Sequence, residues 1–322
     1  MSIKLSAYGT CFNTKQTIVP FVENLFSTFS GIDIELVMVD NYSTDGTWET
    51  LKELQERYNI NLYREKSNRG RGRNIAFEKT DGNYTLSVDA DEIFLDTTYK
   101  NIIINHINWL DNNSIINFAL SKRDVISMAG NWNANLNAAE DVELKARILK
   151  YGGRLVGIPA ILGADINVLN GEKKGRSGIS ERRYAKGISY VKRLLDYLTD
   201  TVRGYGLKYS DLKYYNGYQK VALLYGLYNA KIKHLEIYRH FESINNLQAE
   251  EKAKTRIDPS ILQIPKERWV ATLSQHIGKT LINISIIQLS KLGYKNIYRD
   301  SHNIEISYLP RNNLNKSIYK IF

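Results

Sequence analysis

The sequence predicts an α/β fold in which a mixed, mostly parallel sheet is flanked by helices and followed by a mainly helical C-terminal region. Three observations lead to this prediction. Short apolar runs alternate with amphipathic segments over the first half of the chain, acidic residues directly follow several of those runs, and the second half is basic with apolar stripes at helical spacing. Strands that alternate with helices form parallel sheets, whose ligands gather at the carboxyl ends of the strands.

Strand and helix segments alternate from the start of the chain. Short apolar runs at residues 3–8, 34–39 and 60–63 are typical of buried strands. The two segments between them carry apolar residues on one face of a helix, at Ile18, Phe21, Val22, Leu25, Phe26 and Phe29 and then at Trp48, Leu51, Leu54 and Tyr58. These segments predict two consecutive strand-helix units and a third strand.

The next segments continue the pattern. A loop at residues 66–74, KSNRGRGRN, leads into a helix. This loop is not a dinucleotide-binding fingerprint, because Ile75 stands where that motif needs its third glycine. Further strands are predicted at residues 86–88 and 115–120, with a short helix over 102–110 between them.

Acidic residues stand at the ends of two predicted strands. Asp40 ends the second strand, and Asp89 and Asp91 follow the run at residues 86–88. Alternate residues on an extended chain point the same way, so the carboxylates of Asp89 and Asp91 can face one hard cation together with phosphate oxygens. A D-x-D triplet alone is a weak signal, but its position at a strand end gives it weight. The sequence predicts a metal-binding acidic turn at this point.

Glu140 and Asp141 begin another predicted helix, which Gly152 ends. Its apolar face consists of Leu144, Ile148 and Leu149. Acids in a first helical turn are stabilised by the helix dipole, so a structural role is the alternative to a catalytic one. Trp132 precedes this helix; it either stacks on an acceptor sugar or lies in the core.

In their order and context, these segments resemble the GT-A glycosyltransferases of family 2, the inverting class that uses nucleotide sugars. The resemblance rests on VMVDNYSTDGTWETLKEL, NRGRGRNIAFEKTDGNYTLSVDADE and GNWNANLNAAEDVELKARILKYGG, and it covers residues 3–163. It implies a GT-A, Rossmann-like catalytic domain over residues 1–170. Residues 171–322 then form a separate basic, mainly helical region.

The resemblance also implies roles for individual residues. Asp40 corresponds to the family's base-recognising acid, which can accept the imino hydrogen of uracil. Asp89 contacts the ribose, Asp91 binds the metal that bridges the diphosphate with Asp89 as a second ligand, and Asp141 is the general base. The residues implied in nucleotide-sugar binding are Tyr8, Thr10, Asp40, Arg73, Asp89 and Glu140.

The implied reaction moves one sugar from a nucleotide sugar, a UDP-sugar by expectation, to an acceptor hydroxyl with inversion. The cofactor is a divalent cation, magnesium or manganese, and the acceptor is a glycan, a lipid phosphate or a protein. Two features depart from the family's pattern. None of the five histidines lies between His106 and His234, where many relatives carry a further metal ligand, and the Q-x-x-R-W signature of processive members is absent.

The composition is that of a globular protein with an uneven charge. The chain has 322 residues, of which 43% are hydrophobic and 24% charged, enough for a sizeable core. Residues 1–160 carry 17 Lys and Arg against 20 Asp and Glu, a net charge of −3, whereas the remainder carries 27 against 14, a net charge of +13.

No apolar run matches a transmembrane helix or a signal peptide, and the lone Cys11 predicts a reducing compartment. We expect a cytoplasmic protein, with peripheral contact at the inner face of the membrane as an option.

The basic half allows a different function. Residues 171–193 hold eight Lys and Arg against two Glu, and this segment either closes over a donor diphosphate, binds a lipid-phosphate acceptor or is a solvated linker. Helical stripes are predicted within residues 184–202, 215–232 and 269–284. The alternative is a catalytically inactive protein that binds nucleic acid or a membrane surface. Nucleic acid is the less favoured partner, because the basic residues are scattered and no RNA-binding signature is present.

Overall fold

A computed structural model describes residues 3–117, 119–136, 140–158, 160, 162–169, 224, 228, 254–265, 268, 270–273, 282–285, 295–299 and 304–307. Within those residues, no helix is both long and apolar enough to cross a membrane. The basic segment 171–193 and the predicted helix over 184–202 lie outside the described residues. Of the predicted helix over 215–232, the two described positions, Leu224 and Tyr228, have helical backbone.

The first five elements follow the predicted alternation. They are β1 (Lys4–Cys11), α1 (Lys15–Thr28), β2 (Asp33–Asp40), α2 (Thr47–Gln55) and β3 (Ile60–Arg64). The predicted apolar stripe of α1 is buried at Ile18, Phe21, Val22 and Leu25. Pro20 is the sixth residue of α1 and lies inside the helix, where it removes one backbone hydrogen-bond donor.

The following elements build the rest of the first half. They are α3 (Arg69–Glu78), β4 (Tyr84–Ser87), β5 (Glu92–Phe94), α4 (Thr98–Asn105), a 3-10 turn (Ile107–Trp109), β6 (Ser114–Ile116), β7 (Leu120–Lys122), α5 (Arg123–Met128), α6 (Glu140–Lys150), β8 (Arg154–Gly157), β9 (Gly163–Asp165) and α7 (Ile166–Leu169). The single strand predicted over residues 115–120 is a tight antiparallel pair, β6 and β7. Asn117 makes the turn with a positive φ of 46°, a conformation that asparagine tolerates better than most residues.

The elements described after residue 250 are strands. They are β10 (Lys254–Arg256), β11 (Val270–Leu273), β12 (Ile282–Ser285), β13 (Lys295–Arg299) and β14 (Ile304–Ser307). The helix predicted over residues 269–284 is therefore wrong at its two ends, where β11 and β12 pair antiparallel. The division of the chain after residue 170 stays a prediction, but β10 pairs with β8, and Leu262 and Ile264 join the core of the first half.

The main sheet has the strand order β10-β8-β6-β7-β4-β1-β2-β3. β7 runs antiparallel to both of its neighbours, whereas the other paired strands of this sheet run parallel. The predicted mixed, mostly parallel sheet is confirmed. Because β1, β2 and β4 are parallel neighbours, Asp40 and the turn after β4 lie at the same edge of the sheet.

The sheet is buried on both faces. Along β2, Leu36 and Met38 join the cluster that contains α1, whereas Val37 and Val39 join the cluster on the opposite face, which contains Phe77 of α3. Residues that alternate along a strand point to opposite faces, and a strand buried on both faces needs apolar residues throughout. The apolar run at residues 36–39 of β2 satisfies this requirement, and the buried Glu35 before it accepts hydrogen bonds from Ser6 and Asn61.

Helix α3 is fixed against the loop at residues 133–136 through Gly70. The Gly70 amide donates to the carbonyl oxygen of Leu136 at 2.9 Å, and the Asn68 side-chain amide donates to the carbonyl oxygen of Ala134 at 2.8 Å. A Cβ atom at Gly70 would collide with the carbonyl oxygens of Asn133 and Leu136. The glycine thus allows close packing of two backbones, which brings the loop before α6 onto α3.

Replacing Gly70 with Ala should lower the free energy of unfolding by about 1–3 kcal/mol, because the colliding atoms belong to the backbone and cannot rotate away. Gly152→Asn is the matched control. Gly152 has φ of 79° and a Cβ there meets no atom within 4 Å, so this change should stay below about 1 kcal/mol. Urea denaturation followed by circular dichroism measures both, and equal losses would contradict the close packing.

Candidate active site

Three side chains from distant parts of the sequence meet at the carboxyl edge of the sheet. Asp89 follows β4, Arg73 lies on α3, and Glu140 is the first residue of α6. An Nη atom of Arg73 lies 2.5 Å from Oδ1 of Asp89, and the other lies 2.7 Å from Oε1 of Glu140. Arg73 therefore joins the acidic turn to the helix that carries Asp141.

Arg73 rests on a buried aromatic layer. Its guanidinium carbon lies 5.0 Å from the centre of the Trp132 ring, which permits a cation–π contact. The Trp132 indole N–H donates to the hydroxyl oxygen of Tyr8 at 3.0 Å, and the Tyr8 ring packs edge-on against Phe77. Trp132 is 4% exposed and Tyr8 is fully buried. Both rings belong to the core, and Tyr8 supports Trp132 there; the predicted role of Tyr8 in nucleotide-sugar binding stays a prediction.

The charges around Arg73 are strongly coupled. Burial alone would lower the pKa of the Arg73 guanidinium, but the negative charges of Asp89, Glu140 and Asp141 outweigh burial and raise that pKa above its usual value. Arg73 is 7% exposed and Glu140 only 2%. Nε of Arg73 and Oε2 of Glu140 are buried and make no hydrogen bond among the described residues. The pair thus keeps one donor and one acceptor unused.

Asp141 lies beside this network with more access to solvent. It is the second residue of α6, and its side chain is 41% exposed. Nζ of Lys145, one turn further along α6, lies 3.8 Å from Oδ2 of Asp141. The negative charge of Asp141 contributes to raising the pKa of Arg73. Asp141 is thus an accessible carboxylate next to a buried cation.

The turn after β4 holds the predicted metal ligands. Asp89 and Asp91 flank Ala90 and both are partly exposed. Thr17 of α1 donates its hydroxyl to the Ala90 carbonyl at 2.8 Å, and the amide of Ile166 donates to the Asp91 carbonyl at 2.8 Å. The turn is thereby fixed from two sides.

The donor chemistry of this turn fits a divalent cation. Carboxylate oxygens are hard ligands that suit magnesium or manganese, and one oxygen of Asp89 is already taken by Arg73. Among the described residues, no three His, Cys, Asp or Glu side chains form a cluster that could hold a metal ion. A cation at Asp89 and Asp91 would therefore take further ligands from diphosphate and water, as magnesium commonly does.

Asp40 is fully buried, and its carboxylate is occupied. Both of its oxygens accept from the Ser43 amide, at 3.2 and 3.1 Å, and Oδ2 also accepts from Nε of Arg64 at 3.1 Å. The Cys11 thiol lies 3.8 Å from Oδ1, and burial raises the pKa of that thiol. The predicted role of Asp40 in recognising the nucleotide base stays a prediction.

Thr10 lies near the end of β1 and is half-buried. Its hydroxyl donates to the carbonyl oxygen of Val39 at 3.0 Å. A Cβ atom at Gly72 would lie only 2.5 Å from this hydroxyl oxygen, so Thr10 packs closely against α3. Its predicted role in nucleotide-sugar binding stays a prediction.

The sequence of this part of the chain matches a known family. Residues 7–132 match the model of the family described as Glycosyl transferase family 2. The predicted resemblance to this family is thereby confirmed over residues 7–132. These residues, the glycosyltransferase region, include the acidic turn, Arg73 and Trp132.

Curated proteins also match part of this chain. Dolichol-phosphate mannosyltransferase of Pyrococcus furiosus is 25% identical over 91 residues, which are 28% of this chain and 26% of that protein. Poly(ribitol-phosphate) beta-N-acetylglucosaminyltransferase TarS of Staphylococcus aureus is 26% identical over 102 residues, which are 30% of this chain and 18% of that protein. The matches span about a quarter or less of the length of these relatives.

Similar solved structures include TarS of S. aureus, with 16% identity and a TM-score of 0.46 over 78% of this chain and 55% of that chain. The mannosyltransferase PcManGT from Pyrobaculum calidifontis, solved in complex with GDP-Man and Mn2+, has 15% identity and a TM-score of 0.46 over 78% of this chain and 79% of that chain.

Sequence reasoning found the acids of the glycosyltransferase region but missed their partners. It did not anticipate that Arg64 pairs with Asp40 or that Trp132 supports Arg73. A signal existed for Arg64, because β2 and β3 pair in parallel with Asp40 opposite Arg64, so two charged residues end neighbouring strands. The contact between Trp132 and Tyr8 joins residues 124 positions apart, and no local pattern indicates it.

Arg73→Met should lower the free energy of unfolding by about 3–5 kcal/mol, because it leaves Glu140 buried without a counter-charge. Arg71→Met is the matched control on the same helix. Arg71 pairs with Glu65, and these side chains are 53% and 44% exposed, so its loss should cost less than about 1 kcal/mol. Urea denaturation compares the two variants. Equal losses would mean that the Arg73 pair is not buried in solution.

Proposed function

We propose that the protein transfers one sugar from a nucleotide sugar, most simply a UDP-sugar, to an acceptor hydroxyl with inversion at the sugar. The observation that carries this proposal is the bridge made by Arg73, which holds Asp89 after β4 and Glu140 on α6. The bridge brings the acidic turn and the start of α6 to one edge of the sheet. Two sequence relatives are named as transferases of mannose and of N-acetylglucosamine, which supports a hexose-type donor.

Asp91 and Asp89 are the proposed ligands of a divalent cation, magnesium or manganese. Such a cation, when bound, neutralises the charge that develops on the leaving diphosphate. Arg73 has a separate task in this proposal. It holds Asp89 in one orientation through a 2.5 Å contact, and its own charge is balanced by Glu140. The acidic turn is thereby kept ready for a metal-bound diphosphate without a large rearrangement.

Asp141 is the proposed general base. Its side chain is partly exposed, whereas Glu140 beside it is buried and paired with Arg73. This difference supports separate roles, in which Glu140 fixes the start of α6 and Asp141 removes the proton of the acceptor hydroxyl. A single base on the side opposite the leaving group gives one displacement and therefore inversion, by analogy with inverting glycosidases.

We also propose that residues 1–170 hold the donor site, with β10 and residues 257–264 packed onto it. The acceptor site and cytoplasmic location remain part of the same proposal, with a glycan, a lipid phosphate or a protein as acceptor. A lipid-phosphate acceptor would account for a net charge of +13 in the second half of the chain.

Asp141→Asn should reduce turnover about 10²–10⁴-fold, because the amide keeps the shape of the side chain but cannot take the acceptor proton. Donor affinity should change little. The measurement is release of nucleoside diphosphate from a sugar nucleotide, together with calorimetry of donor binding. Asp124→Asn is the matched control, since Asp124 is also an acid in the first turn of a helix and is exposed. Turnover retained in Asp141→Asn would remove Asp141 as the base.

Asp91→Asn should weaken the manganese-dependent binding of UDP by at least about tenfold, because a carboxylate ligand is lost. Calorimetric titration of UDP with and without manganese measures the effect, and Asp124→Asn again serves as the control. A variant that keeps the full manganese dependence would show that Asp91 is not a ligand.

A further inference from the structure

The acidic turn after β4 is a hydrogen-bonded β-turn. The Glu92 amide donates to the Asp89 carbonyl at 3.1 Å, and a bond between the fourth and the first residue is the one that closes such a turn. Asp89 is therefore its first residue and Asp91 its third. The peptide group that joins Ala90 to Asp91 is the central peptide of the turn.

The central peptide of a β-turn has two common orientations. Turns of types I and II differ by a rotation of this peptide through roughly half a turn, and type II requires a positive φ at the third residue. Asp91 does not have a positive φ, so the acidic turn does not have the type II orientation. Aspartate enters the left-handed region more readily than most residues. The residue type at position 91 therefore leaves both orientations accessible.

Thr17, the third residue of α1, holds the central peptide. Its hydroxyl donates to the Ala90 carbonyl at 2.8 Å, whereas its other contact, with the Thr14 carbonyl, is longer at 3.2 Å. A hydroxyl carries one hydrogen, so the Ala90 carbonyl receives the better bond. Thr17 is 3% exposed and Ala90 is 4% exposed, which leaves water little access to this carbonyl. Rotation of the central peptide would break the bond to Thr17.

Backbone contacts hold the chain on both sides of the central peptide. Before the turn, the Val88 amide donates to the Tyr8 carbonyl at 3.0 Å, and a Cβ atom at Gly9 would collide with the Val88 carbonyl oxygen. Within the turn, the Asp91 carbonyl accepts from the Ile166 amide at 2.8 Å. The flanking peptides are thus fixed by main-chain groups, and the central peptide is fixed by a side chain.

We infer that Thr17 is a positioning residue for the divalent cation of the proposed function, on which this inference rests. By holding the central peptide, the Thr17 hydroxyl sets the direction in which the Asp91 carboxylate leaves the turn relative to that of Asp89. Two carboxylates bind one cation only when both reach it at coordination distance. Thr17 itself contacts neither the cation nor the substrate; it acts through the backbone that carries the ligands.

Calorimetric titration of UDP and of GDP, each with and without manganese, tests the inference on the full chain. Thr17→Val keeps the shape of the side chain but removes the hydroxyl. It should weaken the manganese-dependent binding of the preferred nucleotide by about 10–100-fold and leave its metal-free affinity within about twofold of wild type. Thr17→Ser keeps the hydroxyl and should restore the manganese-dependent affinity to within about threefold of wild type.

Asn24→Ala is the matched control on the same helix. Asn24 lies two turns after Thr17, and its side-chain amide donates to the Phe94 carbonyl at 3.0 Å and accepts from the Phe94 amide at 2.7 Å. The variant releases the segment after the acidic turn from α1 without touching the central peptide. It should lower the free energy of unfolding, measured by urea denaturation, and leave the manganese dependence of nucleotide binding unchanged.

The outcomes separate the inference from the proposed function. If the wild-type protein binds neither nucleotide, or binds without manganese dependence, the inference and the proposed metal-bound donor are both overturned. If Thr17→Val keeps the manganese dependence of wild type, or if Thr17→Ser or Asn24→Ala loses as much as Thr17→Val, the role of Thr17 is overturned and the transferase proposal stands. Should Thr17→Val fail to fold, Thr17→Cys replaces it, because a thiol is a weak donor. An unchanged manganese-dependent affinity in that variant would overturn the inference.

Discussion

The candidate site depends on one buried cation, Arg73. A guanidinium that is 7% exposed persists only when carboxylates balance it, and its partners come from two elements that are far apart in the sequence. The pairing stabilises both charges, because Glu140 is also buried and needs a positive neighbour. Arg73 therefore fixes the position of α6 relative to the turn after β4. The orientation of Asp141, on the same helix as Glu140, follows from this pairing.

A second acid–arginine pair, Asp40 with Arg64, has the reverse distribution of burial between its two charges. At Arg73 the cation is buried, and acids remain accessible beside it, whereas at Asp40 the acid is buried and the cation is partly exposed. The edge of the sheet thus presents oxygen ligands at one position and N–H donors at its neighbour.

The fold could be predicted from local patterns wherever one face of an element is buried. The helical stripe of α1 and the apolar run of β2 were sufficient for both elements. The prediction of a helix over residues 269–284 was wrong at its two ends because apolar residues such as Leu273 and Ile284 also fit a strand. Residues 282–285 alternate between apolar and polar, which is the pattern of a strand and is observed in β12. At the site, the acids were found from their positions after strands. The pairing of Glu140 with Arg73 could not be found in this way, since it joins residues 67 positions apart.

The glycines before Arg73 narrow the ways in which this edge can bind a diphosphate. Helix amino termini bind phosphate through amides that lack partners. In the first turn of α3, however, three backbone amides already donate hydrogen bonds to groups of the protein. Gly70 donates to Leu136, Arg71 to the side chain of Asn68, and Gly72 to the Asn68 carbonyl. With those amides committed, the phosphate charge has to be met by other groups. In the proposed function, the carboxylates of Asp89 and Asp91 with a divalent cation meet this charge, and Arg73 of α3 holds Asp89 in place.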